Sequence, residues 1–261
     1  MVAVLTLSLL ILPACEKQAG SRVILAGSTS VQPYAEILAE EYFGHYGGTE
    51  VDVQGGGSSA GITAVQTGTA DIGMSSRSLK ESEQDLIAIE IAKDGLVIIV
   101  HPSNPVSNLT LQQLRDVYTK DISNWSELGG NDAKIHIITR EDGSGTRSAF
   151  EELVMAGSKI SPRAIVQDSN GAVCQFVSDD PNAIGFVSLG MVEHGTRPIK
   201  ALRLDGIYPT PESVMDGSYT LTRPFLFVLL EEPTGDTKDF IDFVLSEPGK
   251  TILRAEGLIV E

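Results

Sequence analysis

Lys134 to Met155, KIHIITREDGSGTRSAFEELVM, is the stretch on which the fold turns. Ile135, Ile137 and Ile138 form an apolar run between polar residues, which predicts a buried β-strand. From Ser148 onward, Phe150, Leu153 and Val154 fall at helical spacing. Between them runs Arg140-Glu141-Asp142-Gly143-Ser144-Gly145-Thr146-Arg147, a strand-to-helix turn. Gly143 and Gly145 let the backbone turn sharply and come close to a ligand. Ser144 is a good N-cap, and the first amides of the helix lack intrahelical partners. Free N–H groups, hydroxyls and the positive end of the helix dipole suit an anion. Arg140 and Arg147 add charge and planar donor forks. Alone, the turn reads equally as an ordinary cap beside two solvated arginines.

The same pattern recurs upstream. Arg22 to Ala26 reads as a strand, followed by Gly27-Ser28-Thr29-Ser30 and a helix opened near Pro33, with Tyr34, Leu38 and Tyr42 on one face. Val51 to Gln54 is a strand, Gly55-Gly56-Gly57-Ser58-Ser59-Ala60-Gly61 a turn, and Ile62 to Gln66 a short helix. A flexible linker would not sit so tightly between strand and helix patterns. Ala70 to Met74 is a third strand, ending in Ser75-Ser76-Arg77-Ser78. Arg77 is either a surface residue or a donor facing the same cleft. Leu96 to Val100 is a fully apolar strand of the kind buried on both faces.

A second unit follows. Thr110 opens a helix with Leu111, Leu114 and Tyr118 on its buried side, and Trp125 packs on the domain. After the Lys134–Met155 segment come strands at 164–167, 183–189, 199–204 and 225–230. Helices are expected at 172–177, 237–245 and 249–255. Alternating strands and helices predict an α/β fold with largely parallel sheets. Ligands of such sheets sit at the carboxyl ends of strands, where the hydroxyl-rich turns lie.

Composition limits what can bind there. The 261 residues suffice for two ordinary domains, and 26 glycines fit an α/β protein. A formal charge of −16 excludes a nucleic-acid partner, because nothing would neutralise a phosphate backbone. It does not exclude one small anion, since distant charges are screened beyond ~8 Å at ~0.15 M salt. Residues 1–14 are uncharged, too short to span a bilayer, and read as a signal-peptide core. Leu12-Pro13-Ala14-Cys15 has the form of a lipobox, which makes Cys15 a lipidation site and holds the domain on a membrane surface. Cys174 is then a core thiol, and two cysteines supply no metal framework.

The segments GSTSVQPYAEILAEEY, GGGSSAGITAVQTGTADIGMSSR, TREDGSGTR, AIGFVSLG and YTLTRPFLFVLL together resemble the substrate-binding proteins of bacterial phosphate ABC importers. The resemblance spans nearly the whole mature chain. It implies a two-lobed type II periplasmic-binding-protein fold, each lobe a mostly parallel sheet flanked by helices. The chain would cross between lobes near Leu96–His101 and Thr220–Pro224. Lobe one would then be 21–98 plus 221–261, and lobe two 99–220. Carried over by motif, the anion ligands are Thr29, Ser30 and Ser58 from lobe one, and Arg140, Ser144, Gly145 and Thr146 from lobe two. Asp142, two residues after the arginine, would steady it.

One position departs from the pattern. Where well-known members carry an aspartate that accepts the proton of hydrogen phosphate, this chain has Ser76 and Arg77, a form shared by other relatives. The resemblance implies a monomeric, non-enzymatic, lipid-anchored receptor for inorganic phosphate that serves a membrane-embedded ABC permease without a cofactor. Two alternatives remain at this point. One is a receptor for another tetrahedral oxyanion, sulfate or molybdate. The other is a hydrolase with Ser58 or Ser144 as nucleophile and one of His45, His101, His136 or His194 as base.

Overall fold

The computed structural model describes residues 21–193 and 195–260; the leader segment, Cys15 and His194 lie outside them. Ser21–Gly27 forms β1, with Val23 and Leu25 turned into the core. Gln32–Tyr46 is α1; Pro33 stands in its first turn, where a missing N–H costs nothing, and Tyr34, Leu38 and Tyr42 are buried as expected. Thr49–Gly55 is β2, Ser58–Gln66 α2 and Ile72–Ser75 β3. Helix α2 begins at Ser58, four residues earlier than its apolar pattern announces, so the serines of the turn are the first residues of the helix.

Ile87–Val100 is β4, a strand of 14 residues. The expected strand at Leu96–Val100 is only its second half. The first half alternates the more buried Ile87, Ile89 and Ile91 with exposed Ala88 and Glu90, a one-sided pattern that a search for continuous buried runs passes over. Asn108–Leu109 is β5, and Leu111–Thr119 is α3, closed at its start by a reciprocal Thr110–Gln113 capping box. His136–Arg140 is β6 and Gly145–Phe150 is α4, which widens into a π turn over Glu151–Met155. Ile165–Gln167 is β7, Asn170–Asp179 α5, Ala183–Ser188 β8 and Gly190–Glu193 α6. Lys200–Ala201 is β9, Arg203–Leu204 β10, and Pro211–Met215 α7. Thr222–Leu229 is β11, followed by α8 (Gly235–Leu245) and α9 (Glu247–Ala255).

The strands run in the order β2-β1-β3-β11-β4-β8-β6-β7, with β9 also on β4. The outer pairs, β1 with β2 and β3 and β6 with β7 and β8, are parallel as expected. The middle is antiparallel, because β4 and β11 run against each other and against their outer neighbours. Strand β4 pairs with β11 up to Gly95 and with β8 from Leu96, so one strand serves both halves of the sheet.

Each half has its own core. Val23, Leu25, Leu38, Phe225, Phe227 and Phe240 gather in one; Leu96–Val100, Tyr118, Phe150 and Phe186 gather in the other. Phe150 stacks on Phe186 with ring centroids 4.1 Å apart, which fixes the helix that follows the Arg140 turn. Trp125 is buried, and its indole N–H donates to the carbonyl of Asn182 at 3.0 Å. The result is a two-lobed α/β molecule in which β1, β2 and β3 of one lobe and β6 of the other end in the hydroxyl-rich turns.

Candidate functional site

Gly27, at φ +137°, ends β1; a Cβ there would stand 2.3 Å from the carbonyl oxygen of Met74, so only glycine lets β1 and β3 approach at this point. The Gly57 N–H donates to the Gly27 carbonyl at 2.8 Å and ties the second turn to the first. Ser58 then projects its hydroxyl at the third turn, where it accepts from the Ser76 N–H at 3.1 Å. Ser28 donates to the Ser76 Oγ at 2.9 Å. Ser28, Ser58 and Ser76 thus form one buried hydroxyl cluster at the ends of three parallel-sheet elements.

The Arg140 turn of the other lobe closes against this cluster. Ser144 caps α4, accepting from the Arg147 N–H at 3.2 Å. A Cβ on Gly145 would lie 2.2 Å from the Ser58 Oγ and 2.6 Å from the Ser76 Oγ, so its bare backbone rests on both hydroxyls. Thr146 Oγ1 shares a hydrogen bond with Ser30 Oγ at 2.9 Å. Arg140 donates through Nη2 to Thr29 Oγ1 at 3.2 Å and to the Asp168 carbonyl at 3.1 Å. At the rim the Ser59 N–H donates to the Gly143 carbonyl at 3.1 Å. Thr29, Ser30, Ser58, Ser76, Arg140, Ser144, Gly145 and Thr146 are therefore brought together from both lobes.

Two sequence expectations are corrected here. Asp142 does not steady Arg140: its side chain is 93% exposed and pairs with Arg147. The partner of Arg140 is Glu141, whose carboxylate receives Nε at 2.9 Å and Nη2 at 3.0 Å. Glu141 leaves the end of β6 with one more methylene than an aspartate and folds back on its neighbour, whereas Asp142 already belongs to the turn. Arg77 is neither a surface residue nor a donor to the cleft. Its guanidinium is buried and forked onto Glu83 at 2.7 and 2.9 Å, within its own lobe. Its contact to the Ser59 Oγ, at 3.5 Å, is marginal. Arg77 braces the turn that carries Ser76.

Other residues of the site went unread in the sequence. Arg223, on β11, donates to Asp94 on β4 through Nε at 2.9 Å and to Ser30 Oγ through Nη2 at 3.2 Å. Asp94 also accepts from Ser188 Oγ at 2.8 Å and from the Leu189 N–H at 3.2 Å. The pair is fully enclosed, and burial pushes the Asp94 carboxyl up, against the pull of Arg223 and its hydrogen bonds. Asn170, the first residue of α5, donates to Ser30 Oγ at 2.7 Å. A charged residue in an otherwise apolar half of a strand (Asp94), and an arginine before a fully apolar one (Arg223), were the available signals. Neither position shows a partner until the sheet is assembled.

Buried side-chain polar atoms without a partner are few among the described residues. They are Arg140 Nη1, Arg223 Nη1, Asn170 Oδ1, Arg77 Nε and Thr139 Oγ1. A cleft of about 310 Å³ opens beside Ser30, bordered by Tyr34, Cys174 and Met191. Burial raises the Cys174 thiol to about 11, which suits a core thiol rather than a reactive one. His45 reaches Glu41, His101 reaches Ser103 and His136 reaches Asp180. Among the described residues, then, no histidine is bonded to Ser58 or Ser144; His194, the fourth candidate base, lies outside them. No group of described residues has the makings of a metal site.

A family model described as a PBP superfamily domain matches residues 14–248. The phosphate-binding protein PstS of Bacillus subtilis (strain 168) is 30% identical over 249 residues, 94% of this chain and 82% of that protein. PstS of Borreliella burgdorferi is 29% identical over 99% of this chain and 97% of its own length. Among solved structures, a putative phosphate ABC transporter substrate-binding protein with bound phosphate from Clostridium perfringens superposes with a TM-score of 0.88. It shares 43% identity and covers 92% of this chain and 100% of its own. An ABC-type phosphate transport receptor from Vibrio cholerae gives 0.76 at 40% identity, with coverage of 92% and 100%. With its two cores, its crossing strands and its facing hydroxyl turns, the chain belongs to the PBP superfamily and, within it, to the PstS family of substrate-binding proteins.

Proposed function

We propose that this chain is an extracytoplasmic receptor that closes its two lobes on inorganic phosphate and delivers it to an ABC permease. One observation carries the reading: donors from both lobes converge on the same few ångströms. Arg140 meets Thr29, Thr146 meets Ser30, and Gly145 rests on Ser58 and Ser76. The amides of Gly145 and Thr146, at the start of α4, add donors without intrahelical partners. The relatives named for phosphate binding support the choice of anion.

The magnitudes suffice without a metal. Charge-assisted hydrogen bonds contribute ~1.5–3 kcal/mol each. Four or five give roughly 6–15 kcal/mol against an association cost of ~4 kcal/mol or more, and micromolar binding needs about 8 kcal/mol. Closure is a hinge motion on β4, which both lobes share; the expected boundaries at 98/99 and 220/221 move to 95/96 and 221/222, because Leu96–Ile98 and Leu221 pack in the second core. Contacts from both lobes to one ion favour the closed state. A monomer tethered through an acylated Cys15 fits this role, with the polar stretch after the cysteine as the tether.

The test is direct. Protein purified in phosphate-free buffer is denatured, and the supernatant is assayed for phosphate and sulfate; the stripped, refolded protein is then titrated with each anion by calorimetry. Released phosphate or micromolar phosphate binding is expected. Heat from neither anion would refute the receptor reading.

A further inference from the structure

Three of the unpartnered buried atoms belong to side chains already tied to the two lobe-one hydroxyls of the site. Arg140 holds Thr29 through Nη2 and leaves Nη1 without an acceptor. Arg223 holds Ser30 through Nη2 and likewise leaves Nη1. Asn170 holds Ser30 through Nδ2 and leaves Oδ1 without a donor. Arg140 and Asn170 are 1% exposed and Arg223 3%, so bulk water does not serve these atoms. The other two unpartnered atoms lie apart. Arg77 Nε is on a guanidinium turned to Glu83, and Thr139 faces the opposite side of β6 from Arg140.

The inventory is two donors and one acceptor around Thr29, Ser30 and Thr146. Leaving a buried acceptor unmet costs free energy, as does leaving a donor unmet. A ligand that settles all three must offer oxygen lone pairs to the guanidinium groups and one O–H to the amide oxygen. Fully ionised sulfate offers only lone pairs, and its oxygen would face the Asn170 oxygen with no proton between them. A hydrogen phosphate offers both. The carboxylates nearby are not free for the task. Glu141 is forked by Arg140, and Asp94 already accepts from Arg223, Ser188 and the Leu189 amide.

We infer that Asn170 is the residue that selects a protonated oxyanion, its Oδ1 accepting the hydrogen of the bound hydrogen phosphate or hydrogen arsenate. This rests on the receptor reading above and supplies what that reading leaves open, the acceptor for the anion's hydrogen. An amide accepts this hydrogen without adding a negative charge next to a dianion.

Calorimetry at pH 7.5 with inorganic phosphate, arsenate and sulfate tests it, on wild type, Asn170→Leu and Asn170→Asp, each checked for folding by circular dichroism. Wild type should prefer phosphate and arsenate over sulfate by about 100-fold or more. Asn170→Leu removes the acceptor and should cut that ratio by about tenfold or more, the worth of one hydrogen bond to a charged group. Asn170→Asp keeps an acceptor and should preserve the ratio even as all affinities fall. A Leu variant that weakens every anion in equal proportion would show a merely structural residue and overturn the inference. So would a wild type that binds sulfate as tightly as phosphate, although an oxyanion receptor would then still stand. A wild type that binds none of the three defeats the receptor reading as well. Should Asn170→Leu fail to fold, Asn170→Asp alone decides: loss of the preference there overturns the proposal, and retention supports it.

Discussion

A single methyl group at Gly145 should hold the two lobes apart. In the closed arrangement the added carbon would stand 2.2 Å from the Ser58 Oγ, 2.6 Å from the Ser76 Oγ and 3.0 Å from the Ser58 Cβ. Rotating the Ser58 hydroxyl away would relieve the first contact but break its bond to the Ser76 amide, and the Cβ contact would remain. Carbon and oxygen need ~3.5 Å, so α4 must retreat by about 1 Å. At that displacement the cross-cleft hydrogen bonds of Thr146 and Arg140, at 2.9 and 3.2 Å, pass out of range. Losing two of the charge-assisted bonds to the anion amounts to about 3–6 kcal/mol, a hundredfold to ten-thousandfold in Kd. The backbone itself should not object: Gly145 does not have a positive φ, and alanine is favoured over glycine inside a helix by ~0.5–1 kcal/mol. Gly145→Ala should therefore bind phosphate at least about 100-fold more weakly by calorimetry, while its ligand-free melting temperature holds or rises slightly. Gly143→Ala is the control, because a Cβ there meets nothing closer than 3.8 Å. A Gly145→Ala protein with wild-type affinity would mean that the lobes do not close in this register.

Three further outcomes follow from the buried ion pairs. Arg223→Met leaves Asp94 enclosed without its cation and should cost about 3–5 kcal/mol in chemical denaturation, whereas Asp94→Leu with Arg223→Met should cost much less; equal losses would deny the coupling. Hydrogen bonding from Arg77 holds the Glu83 carboxyl below its ordinary value, so the stability it contributes is complete above the unfolded value near ~4.3 and disappears as pH falls through the lower folded value. Glu83→Gln should thus lower stability by about 3 kcal/mol at pH 7, with the gap to wild type narrowing below about pH 4, and a gap independent of pH would contradict this. Because Arg140 and Arg223 are each matched by an acid, phosphate affinity should change less than about threefold between about 0.05 and 0.5 M salt; a steep fall would place the binding charges on the surface.

Much of the fold was legible because it is written in local pattern. The run of isoleucines before Arg140 and the helix starts at Pro33 and Thr110 each act within a few residues, and each lies where the pattern puts it. The first half of β4 was not legible as strand, since Ala88 and Glu90 are exposed between half-buried isoleucines and Glu90 and Lys93 interrupt its apolar residues. In the site, the hydroxyls announced themselves through glycine-rich turns, but the charges did not. Glu141 and Asp142 are adjacent acids, and only the direction in which the chain leaves β6 decides which one reaches the guanidinium. Arg77 looked like a ligand until Glu83, six residues on, claimed its fork. Asp94 and Arg223 are 129 positions apart and meet only because two antiparallel strands lie side by side.

That last pairing bears on how an acidic chain can hold an anion at all. With a formal charge of −16, the molecule's overall field repels phosphate, and the site does not counter it with excess cation: Arg140 is set against Glu141 and Arg223 against Asp94. What remains is direction. Hydroxyls from both lobes meet in the site beside two otherwise neutralised guanidinium groups whose Nη1 atoms have no partner, and the buried setting strengthens each bond that is made and penalises each that is not. A site built this way gains little from attracting every anion and much from matching one pattern of donors and acceptors. Arg223 adds a mechanical consequence, since it is paired with Asp94 on β4, the strand that serves both halves of the sheet, and touches Ser30, which in turn touches Thr146. An ion that engages Arg223 therefore loads the hinge and the cleft at once, and closure and recognition become a single event.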